Sequence, residues 1–484
     1  MEQNVKFRNH ISVIFEQSMK SMGILFFVFV GGILSEIEDI GTFQFGDELW
    51  IIVLATIAIF ILILLIQWYV WSKTYIFIQD GTIVVERNTL NRKKNTIGIK
   101  NVSNVNLQQN LFQMLLQTCR VKLDTNSLST ADQTDISIVL KKQDAIAFRN
   151  MILSKEETFE EPSQGVLEAP KKRFTAEIED IMVHGLYSIN VMSVLMVLIV
   201  AGMLMAMLGV FGETVAEGMI IIFEMPLVVL WILGMWIWSI AKEFVKYIDF
   251  RIERKGNKLF LNYGVLKKVS YSIPVDKINA IRLKQTVFAR IGNCYMAEVI
   301  NVGMDDDENE VHSFLLPFAK RTKIEQQLQM LLPEFSGCLD METKKQPKCI
   351  WKLWVPSVLL VEGFLWVIVW IIGELAGEAM PIPVLLICMA AVFGCMLIGK
   401  AGNYLTAGCT AGADVLKVTT GCFGRQSLFM KYDKIQILTG KQNFLAKRLG
   451  VQKGLVHILA GMKNRVHNLP YMNEGMFMQI QRKL

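Results

Sequence analysis

One segment occurs three times along the chain, and this repetition constrains the fold more than any other feature. Its clearest copy spans 276–292, a related copy spans 433–450, and a weaker copy begins at Lys100. Each copy contains a glutamine seven positions after a β-branched apolar residue, and these glutamines are Gln109, Gln285 and Gln442. Repetition of this kind predicts three copies of one structural unit rather than a single large domain.

The composition indicates a membrane protein. Of the 484 residues, 52% are hydrophobic and only 19% are charged, and the mean hydropathy is +0.37. This balance is too apolar for a soluble chain of such length. Six runs with few or no charges are long enough to cross a bilayer at about 20 residues per helix. They come in three pairs, at 18–35 and 49–71, 186–212 and 219–241, and 353–373 and 379–399.

The charges around these runs predict their orientation. The loops inside the three pairs, at 36–48, 213–218 and 374–380, contain nine acidic residues and no Lys or Arg. Basic residues lie at the other ends of the runs. Because cytoplasmic loops carry the excess of Lys and Arg, we expect both termini and the long connecting segments in the cytoplasm. The chain is therefore predicted to form three transmembrane helical hairpins.

Each hairpin is followed by about 80 to 95 residues whose pattern is that of short strands, turns and a closing helix. A Leu-Pro step, at Pro317 and Pro470, precedes the closing helix of the second and third units. The predicted fold class is α+β, with each hairpin followed by a small antiparallel β-barrel or sandwich capped by a C-terminal helix. In the second of these cytoplasmic domains we expect strands at 247–253, 259–263, 269–273, 280–283 and 296–302, and the helix at 318–332.

These patterns divide the chain into eight segments. They are an N-terminal cytoplasmic segment with the first hairpin at 1–72, a first domain at 73–155, an acidic linker with an interfacial segment at 156–185, a second hairpin at 186–241, a second domain at 242–336, a basic linker at 337–352, a third hairpin at 353–399 and a third domain at 400–484.

The whole unit resembles the bacterial pleckstrin-homology-like membrane proteins of the YdbS and YdbT type. The resemblance is most specific at 276–292 and 433–450, together with the Leu-Pro steps at Pro317 and Pro470. It implies a PH-like fold for each cytoplasmic domain, a bacterial plasma-membrane location, and a smaller sister protein with the same domain as a partner. The first copy departs from the pattern because it lacks both the Leu-Pro step and the Arg-(Ile/Leu)-Gly ending.

No catalytic or cofactor motif accompanies the repeat. The chain lacks a phosphate-binding glycine loop, an HExxH pair, a GxSxG elbow and a Rossmann glycine set. Its eight cysteines form no CxxC pair, and its five histidines have no metal-ligand spacing. We expect no enzymatic activity, no catalytic or metal-binding residue and no cofactor.

Two acidic residues fall inside apolar runs, Glu362 in the fifth and Glu224 in the fourth. A carboxylate at mid-membrane costs about 2.5–3.5 kcal/mol on insertion scales, so it should face protein, water or a partner. Glu362 could serve a proton or ion relay, or it could be a protonated, hydrogen-bonded group that fixes helix packing. The second interpretation is the simpler one.

The third domain carries the strongest charge. Between Lys400 and Leu484 there are 13 Lys and Arg against 3 acidic residues. Ordinary positive-inside bias explains part of this excess. The sharper hypothesis is a surface for anionic lipids or an acidic partner. Its residues are Arg425, Lys431, Lys434, Lys441, Lys447, Arg448 and Lys453.

The sequence therefore favours a membrane-anchored scaffold or binding protein, acting in envelope maintenance or stress defence beside its sister protein. Nucleic acid is disfavoured as a partner, because the basic residues lack interleaved aromatic residues. The alternative is a transporter or lipid-handling protein that uses the hairpins. A transporter needs broken helices and several polar groups at mid-membrane. The sequence offers few of these features.

Overall fold

A computed structural model provides the structure. It describes residues 6–35, 37–39, 44–45, 49–125, 136–157, 172–188, 230, 234, 237–238, 240–301, 314–376, 382–460 and 465–484. The chain forms two compact units. The first comprises Met1–Thr130, Thr134–Ala169 and Leu266–Tyr271, and the second comprises Ala131–Gln133, Pro170–Val265 and Ser272–Leu484.

The first unit contains a helical pair followed by six antiparallel strands. Three of them form a sheet in the order β3-β4-β5, the other three are neighbours in the order β6-β7-β8 within a larger sheet, and the last helix packs against β7 and β8. Alternate strand residues such as Ile83 and Val121 point into one core, which Phe148 and Ile152 of that helix close. The elements are α1 (Ser12–Ser35), β1 (Ile37–Asp39), β2 (Gln44–Phe45), α2 (Leu49–Ser72), β3 (Thr74–Gln79), β4 (Thr82–Asn88), β5 (Arg92–Gly98), β6 (Val102–Gln109), α3 (Leu111–Leu115), β7 (Thr118–Thr125), β8 (Ile136–Lys141) and α4 (Lys142–Glu157).

The second domain repeats this plan within the second unit. The start of its third strand, Leu266–Tyr271, belongs to the first unit, where Lys268, Val269 and Ser270 pair with β6. The elements are β9 (Lys172–Thr175), α5 (Ile178–Tyr187), β10 (Arg251–Lys255), β11 (Lys258–Tyr263), β12 (Lys268–Pro274), β13 (Ala280–Gln285), α6 (Val287–Ile291), β14 (Cys294–Ile300), β15 (Phe314–Lys320) and α7 (Arg321–Leu331).

The third domain shares a sheet with the second. Strand β13 pairs along its whole length with β18, giving one six-stranded sheet in the order β15-β14-β13-β18-β17-β16. Ala280 and Ile300 of the second domain thereby join the core of the third. The elements are α8 (Trp351–Ala376), α9 (Ile382–Thr406), β16 (Gly408–Ala411), β17 (Val415–Thr420), β18 (Arg425–Lys431), β19 (Ile435–Lys441), α10 (Phe444–Arg448), β20 (Val451–Ile458), β21 (Val466–Asn473) and α11 (Glu474–Gln481).

The segments before the hairpins are more structured than the predicted linkers. In each repeat such a segment pairs with the first strand of its own domain. Phe7 bridges Ile76, β9 pairs with β10, and Lys345 bridges Gly408. The ranges 156–185 and 337–352 therefore contain β-structure as well as linker, because the first strand of each domain would otherwise expose an unpaired edge.

Two predicted boundaries are wrong. The first strand of the second domain begins at Arg251 and not at 247, because residues 240–247 are helical and Asp249 adopts a φ of 60°. Pro317 and Pro470 lie inside the last strands, and the closing helices begin only at Arg321 and Glu474, so the predicted helix start at 318 was too early. Strand β15 pairs with β14, and β21 pairs with β20; both pairings shift register near the proline. A residue without an N–H is tolerated at such an irregularity.

The predicted count of six spans is met only in part. Among the described residues, Val53–Ser72 and Lys348–Ile371 are long and apolar enough to cross a membrane. The pair Ser12–Gly23 and Leu25–Gly31, bent by 42°, adds a third span if it is counted as one. Helix α9 does not join this set. The third predicted run and most of the fourth lie outside the described residues.

Candidate functional site

The repeated glutamine closes the connection between the fourth and fifth strands of each domain. Its side-chain Nε2 donates a hydrogen bond to a backbone carbonyl oxygen nine residues later. The pairs are Gln109 with Thr118 at 2.7 Å, Gln285 with Cys294 at 3.1 Å, and Gln442 with Val451 at 3.0 Å. The glutamines thus fix the local fold, as expected of a repeat signature.

The connection itself is a five-residue helix with a side-chain cap. The residue after the glutamine accepts a hydrogen bond from the backbone N–H three positions on, at 2.8 Å for Asn110, 3.2 Å for Thr286 and 2.7 Å for Asn443. Such caps satisfy an N–H that the first helical turn leaves without a partner. Each connection then ends on a residue with positive φ, namely Gln117, Asn293 or Gly450.

Each short helix, or the residue that caps it, contacts a helical segment that borders one of the apolar runs. Glu16 of α1 accepts a hydrogen bond from Gln113 Nε2 of α3 at 3.0 Å. Thr286 Oγ1 donates to the carbonyl of Tyr187, the last residue of α5, at 2.6 Å. Helix α10 packs through Ala446 in a cluster with Ile350, Trp354 and Tyr404, where α8 begins and α9 ends.

The outer faces of these helices expose large apolar side chains. Phe444 is 79% exposed and Ile291 is 80% exposed. Exposed apolar side chains on a short surface helix are of the kind that enters a lipid headgroup region. The set comprises Leu111, Leu115 and Leu116 in the first domain, Phe288 and Ile291 in the second, and Phe444 and Leu445 in the third.

Only the third connection combines these apolar groups with a cluster of cations. Lys441 and Lys453 are directly opposite each other on β19 and β20. Lys447 and Arg448 lie on α10, between those strands, and all four side chains are exposed. We call Lys441, Lys447, Arg448 and Lys453 the basic patch. It contains four of the seven residues that the sequence singled out.

The other three predicted residues lie elsewhere in the domain and have local partners. Arg425 donates to Thr343 Oγ1 at 3.2 Å, Lys431 lies 5.0 Å from the ring centre of Phe335, and Lys434 pairs with Asp433 at 3.5 Å. The structure therefore separates Arg425, Lys431 and Lys434 from the basic patch, because they follow β18 and its turn rather than β19 and α10.

A cleft of about 380 Å³ lies beside the basic patch, and Lys453 belongs to both. Arg282 reaches the cleft from β13 and is paired with Glu298 at 3.1 Å. The volume is within the range of small-molecule sites. Polar side chains that line the cleft are those of Arg282, Asn403, Thr420, Gln426, Lys453 and Asn468.

Sequence reasoning missed the exposed apolar residues of the short helices. The signal was present in Asn443-Phe444-Leu445, where a capping residue precedes two large apolar side chains. A buried core would also explain such residues, so only the tertiary structure could decide. His184, one of the five histidines without metal-ligand spacing, lies in the core and is 2% exposed.

Of the two acidic residues in apolar runs, the structure describes one. Glu362 lies on α8, is 9% exposed, and its Oε2 has no hydrogen-bond partner among the described residues. Glu224 lies outside the described residues. Within the described part of the chain, His, Cys, Asp and Glu form no group of three that could hold a metal ion.

Comparison with known proteins decides the family. The family model for the bacterial PH domain matches residues 25–156, 190–332 and 357–484. The chain belongs to the bacterial PH domain family. The predicted resemblance and the threefold repeat are thereby confirmed. The chain is also similar to the UPF0699 transmembrane protein YdbT of Bacillus subtilis (strain 168), with 21% identity over 402 residues, which is 78% of each chain. No solved structure matches.

Proposed function

We propose that this protein is a membrane-anchored PH-like binding protein whose third domain recognises anionic lipid headgroups. The observation that carries the proposal is α10, which presents Phe444 and Leu445 beside Lys447 and Arg448 at the foot of α8 and α9. An apolar anchor next to cations matches the two layers of a membrane surface, the acyl boundary and the phosphates.

The charges of the basic patch supply the preference for anionic lipid. Each Lys or Arg near an anionic leaflet contributes about 1 kcal/mol, so four residues suffice to select among headgroups. Lys453 connects the basic patch to the cleft, which offers polar side chains and room for a phosphate-bearing group. In the other two domains the apolar side chains alone would hold the short helix at the surface.

The lipid proposal is tested with the full-length protein in nanodiscs that contain neutral and anionic lipids in a ratio of four to one. Native mass spectrometry then measures which lipids stay bound. The double variant Lys447→Gln with Arg448→Gln should retain several-fold less anionic lipid. The matched control, Lys431→Gln with Lys434→Gln, removes the same charge from the same domain and should behave like the wild type.

Equal losses in both double variants would mean that net charge, rather than the basic patch, attracts the lipid, and would reject the proposal. No loss in either would reject it as well. Phe444→Ser adds a separate reading of the apolar anchor. It should reduce the total lipid retained while leaving the preference for anionic headgroups unchanged.

We further propose that the chain crosses a bacterial plasma membrane six times with both termini in the cytoplasm. The acidic loops between the paired runs and the basic residues at their outer ends support this arrangement, as does the transmembrane relative. If both termini are cytoplasmic, protease should cleave terminal tags only after the cytoplasmic side of the membrane is made accessible. Cleavage of either tag from outside intact cells would contradict it.

The binding role that we propose is non-enzymatic, and it fits a scaffold for envelope maintenance or stress defence that works beside a smaller sister protein. The same lipid measurement bears on the alternative of a transporter or lipid-handling protein. Lipid held at the basic patch supports the binding role, whereas lipid exchange between leaflets in proteoliposomes of the wild-type protein would favour the alternative.

A further inference from the structure

The edges of the β-sheets reveal how PH-like domains of this chain join. At the junction of the second and third domains, the fourth strand of one domain, β13, pairs with the third strand of the next, β18. In the first unit, the fourth strand β6 likewise pairs with Lys268, Val269 and Ser270 of β12. Both pairings are antiparallel. Each domain therefore receives its successor on its fourth strand.

Two strands at these corresponding positions have an open edge in the described part of the chain. Among the described residues, β19 pairs only with β20, and β5 pairs only with β4. Strand β19 is the fourth strand of the third domain, the position that accepts a strand in the other two domains. Strand β5 is the third strand of the first domain, the position that is donated elsewhere. One open acceptor and one open donor thus remain.

We propose that the open edges of two copies of this chain pair, with β5 of one copy adding to β19 of the next. The contact is head-to-tail, so repeating it yields a ring or a row of copies along the membrane. Adding a strand to a sheet edge satisfies backbone N–H and C=O groups and accounts for why these edges are left uncovered.

The two observed junctions set the register. In both, the first residue of the donated strand lies opposite the signature glutamine, Lys268 opposite Gln109 and Arg425 opposite Gln285. Strands β5, β12 and β18 each have seven residues and lead into a three-residue 3-10 turn. The same rule places Arg92 opposite Gln442. Asn95 then faces Thr439, and Thr96 faces Leu438.

Exposure of the acceptor strand supports this pairing. Ile437 occupies the position that Ala280 has in β13, five residues before the glutamine. Ala280 is fully buried in the core of the next domain, whereas Ile437 is 54% exposed. In the proposed register Ile437 faces Ile97, which packs against the core of the first domain. The incoming domain would bury this exposed side chain as the third domain buries Ala280.

Charge modulates the contact. Gln442 donates to Glu474 Oε1 at 3.2 Å, so a carboxylate lies close to the position of the incoming Arg92. The neighbouring pair, Lys93 opposite Lys441, is a like-charge pair and opposes pairing by a few tenths of a kcal/mol. Because salt screens such repulsion, the proportion of paired copies is not expected to fall sharply with ionic strength.

The experiment uses two full-length chains with different tags, co-expressed in the same membrane. One carries Thr439→Cys and the other Asn95→Cys, and a second set carries Leu438→Cys and Thr96→Cys. Adjacent pairs in an antiparallel ladder alternate between hydrogen-bonded and non-hydrogen-bonded geometry, so the two sets sample both. Mild oxidation of membranes should give a disulfide-linked dimer that carries both tags in at least one set.

Three controls make the result decisive. The chains without introduced cysteines report the background from native cysteines. Replacing Asn95→Cys by Gln79→Cys, exposed at the end of β3, moves the thiol off the donor edge and should reduce the product to background. Adding Ile437→Lys to the first set should reduce the product several-fold. No mixed-tag dimer in either set, or equal dimer with Gln79→Cys, would overturn the proposal.

Discussion

Strands β13 and β19 occupy the same place in two copies of one fold, yet their surroundings differ. Of six residues in β13, four are buried and none is exposed, whereas β19 has no buried residue among seven. The difference does not come from hydrophobicity, since β19 contains Ile435, Ile437 and Leu438. It comes from the neighbour, because β13 lies against β18 and β19 has an open edge. Tertiary context therefore decides what an equivalent strand presents.

The short helices α6 and α10 also differ in whether a neighbouring domain contacts them. In α6, Arg290 donates to the carbonyl of Phe423 at 3.3 Å, which ties the helix to the third domain. On helix α10, both Lys447 and Arg448 are exposed. Within one chain, the third domain thus exposes cations on a helix whose counterpart in the second domain contacts a neighbour, which is why we place the lipid site there.

The largest expected effect is a loss of stability at low pH in the second domain that the third domain does not share. His184 is buried against Tyr247, Phe314 and Phe318 of the second domain. Its Nδ1 accepts a hydrogen bond from Phe318 N at 3.3 Å. Burial, with smaller contributions from Lys246 and Lys284, lowers the pKa of His184 from 6.5 to about 3.

Because the unfolded state binds this proton below pH 6.5 and the folded state binds it only near pH 3, stability of the second domain falls as the pH falls through this window. At pH 4.5 the loss is about 3 kcal/mol, at 1.36 kcal/mol for each pH unit. Hydrogen exchange of β15, corrected for the intrinsic effect of pH, should rise far more than exchange of β21. His184→Gln should remove most of this difference, and an unchanged acid response in that variant would contradict the assignment.

A smaller effect tests the junction itself. Ala280→Ile adds three carbons at a fully buried position of the shared core and should destabilise it by about 1–3 kcal/mol through overpacking. In single chains kept apart in detergent, Ile437→Ala, the reverse change at the equivalent open position, should alter the stability of the third domain by no more than about 0.5 kcal/mol. Hydrogen exchange of β18 and β20 reports the two effects. Comparable losses in both variants would show that the open edge of β19 is already covered within one chain.

Several parts of the fold could be predicted from residues alone. The glutamine spacing identified three units, and the second-domain strands at 259–263, 269–273 and 280–283 lie within β11, β12 and β13. These predictions succeeded because turn signals and alternation are local properties. The first strand and the position of Pro317 were misplaced, since helix continuation and a register shift depend on residues distant in the sequence.

The site divides in the same way. The excess of Lys and Arg in the third domain was visible in the sequence, but the seven predicted residues did not form one surface. Arg425 and Lys431 lie on β18, which pairs with β13 on one edge and with β17 on the other. Lys441 and Lys453 lie opposite each other only because β19 and β20 are paired. Pairing of strands is a long-range event that composition does not encode.

By itself, the sequence determined the repeated unit, its apolar runs and the glutamine that closes each connection, because spacing and hydropathy act over a few residues. Only the tertiary structure decided which strand of one domain pairs with the next, which cations lie together, and which edges stay open. The pairing between domains depends on contacts between residues 140 or more positions apart, as between Gln285 and Arg425, and the cations lie together because β19 pairs with β20. Among the described residues, β5 and β19 are each paired on one edge only.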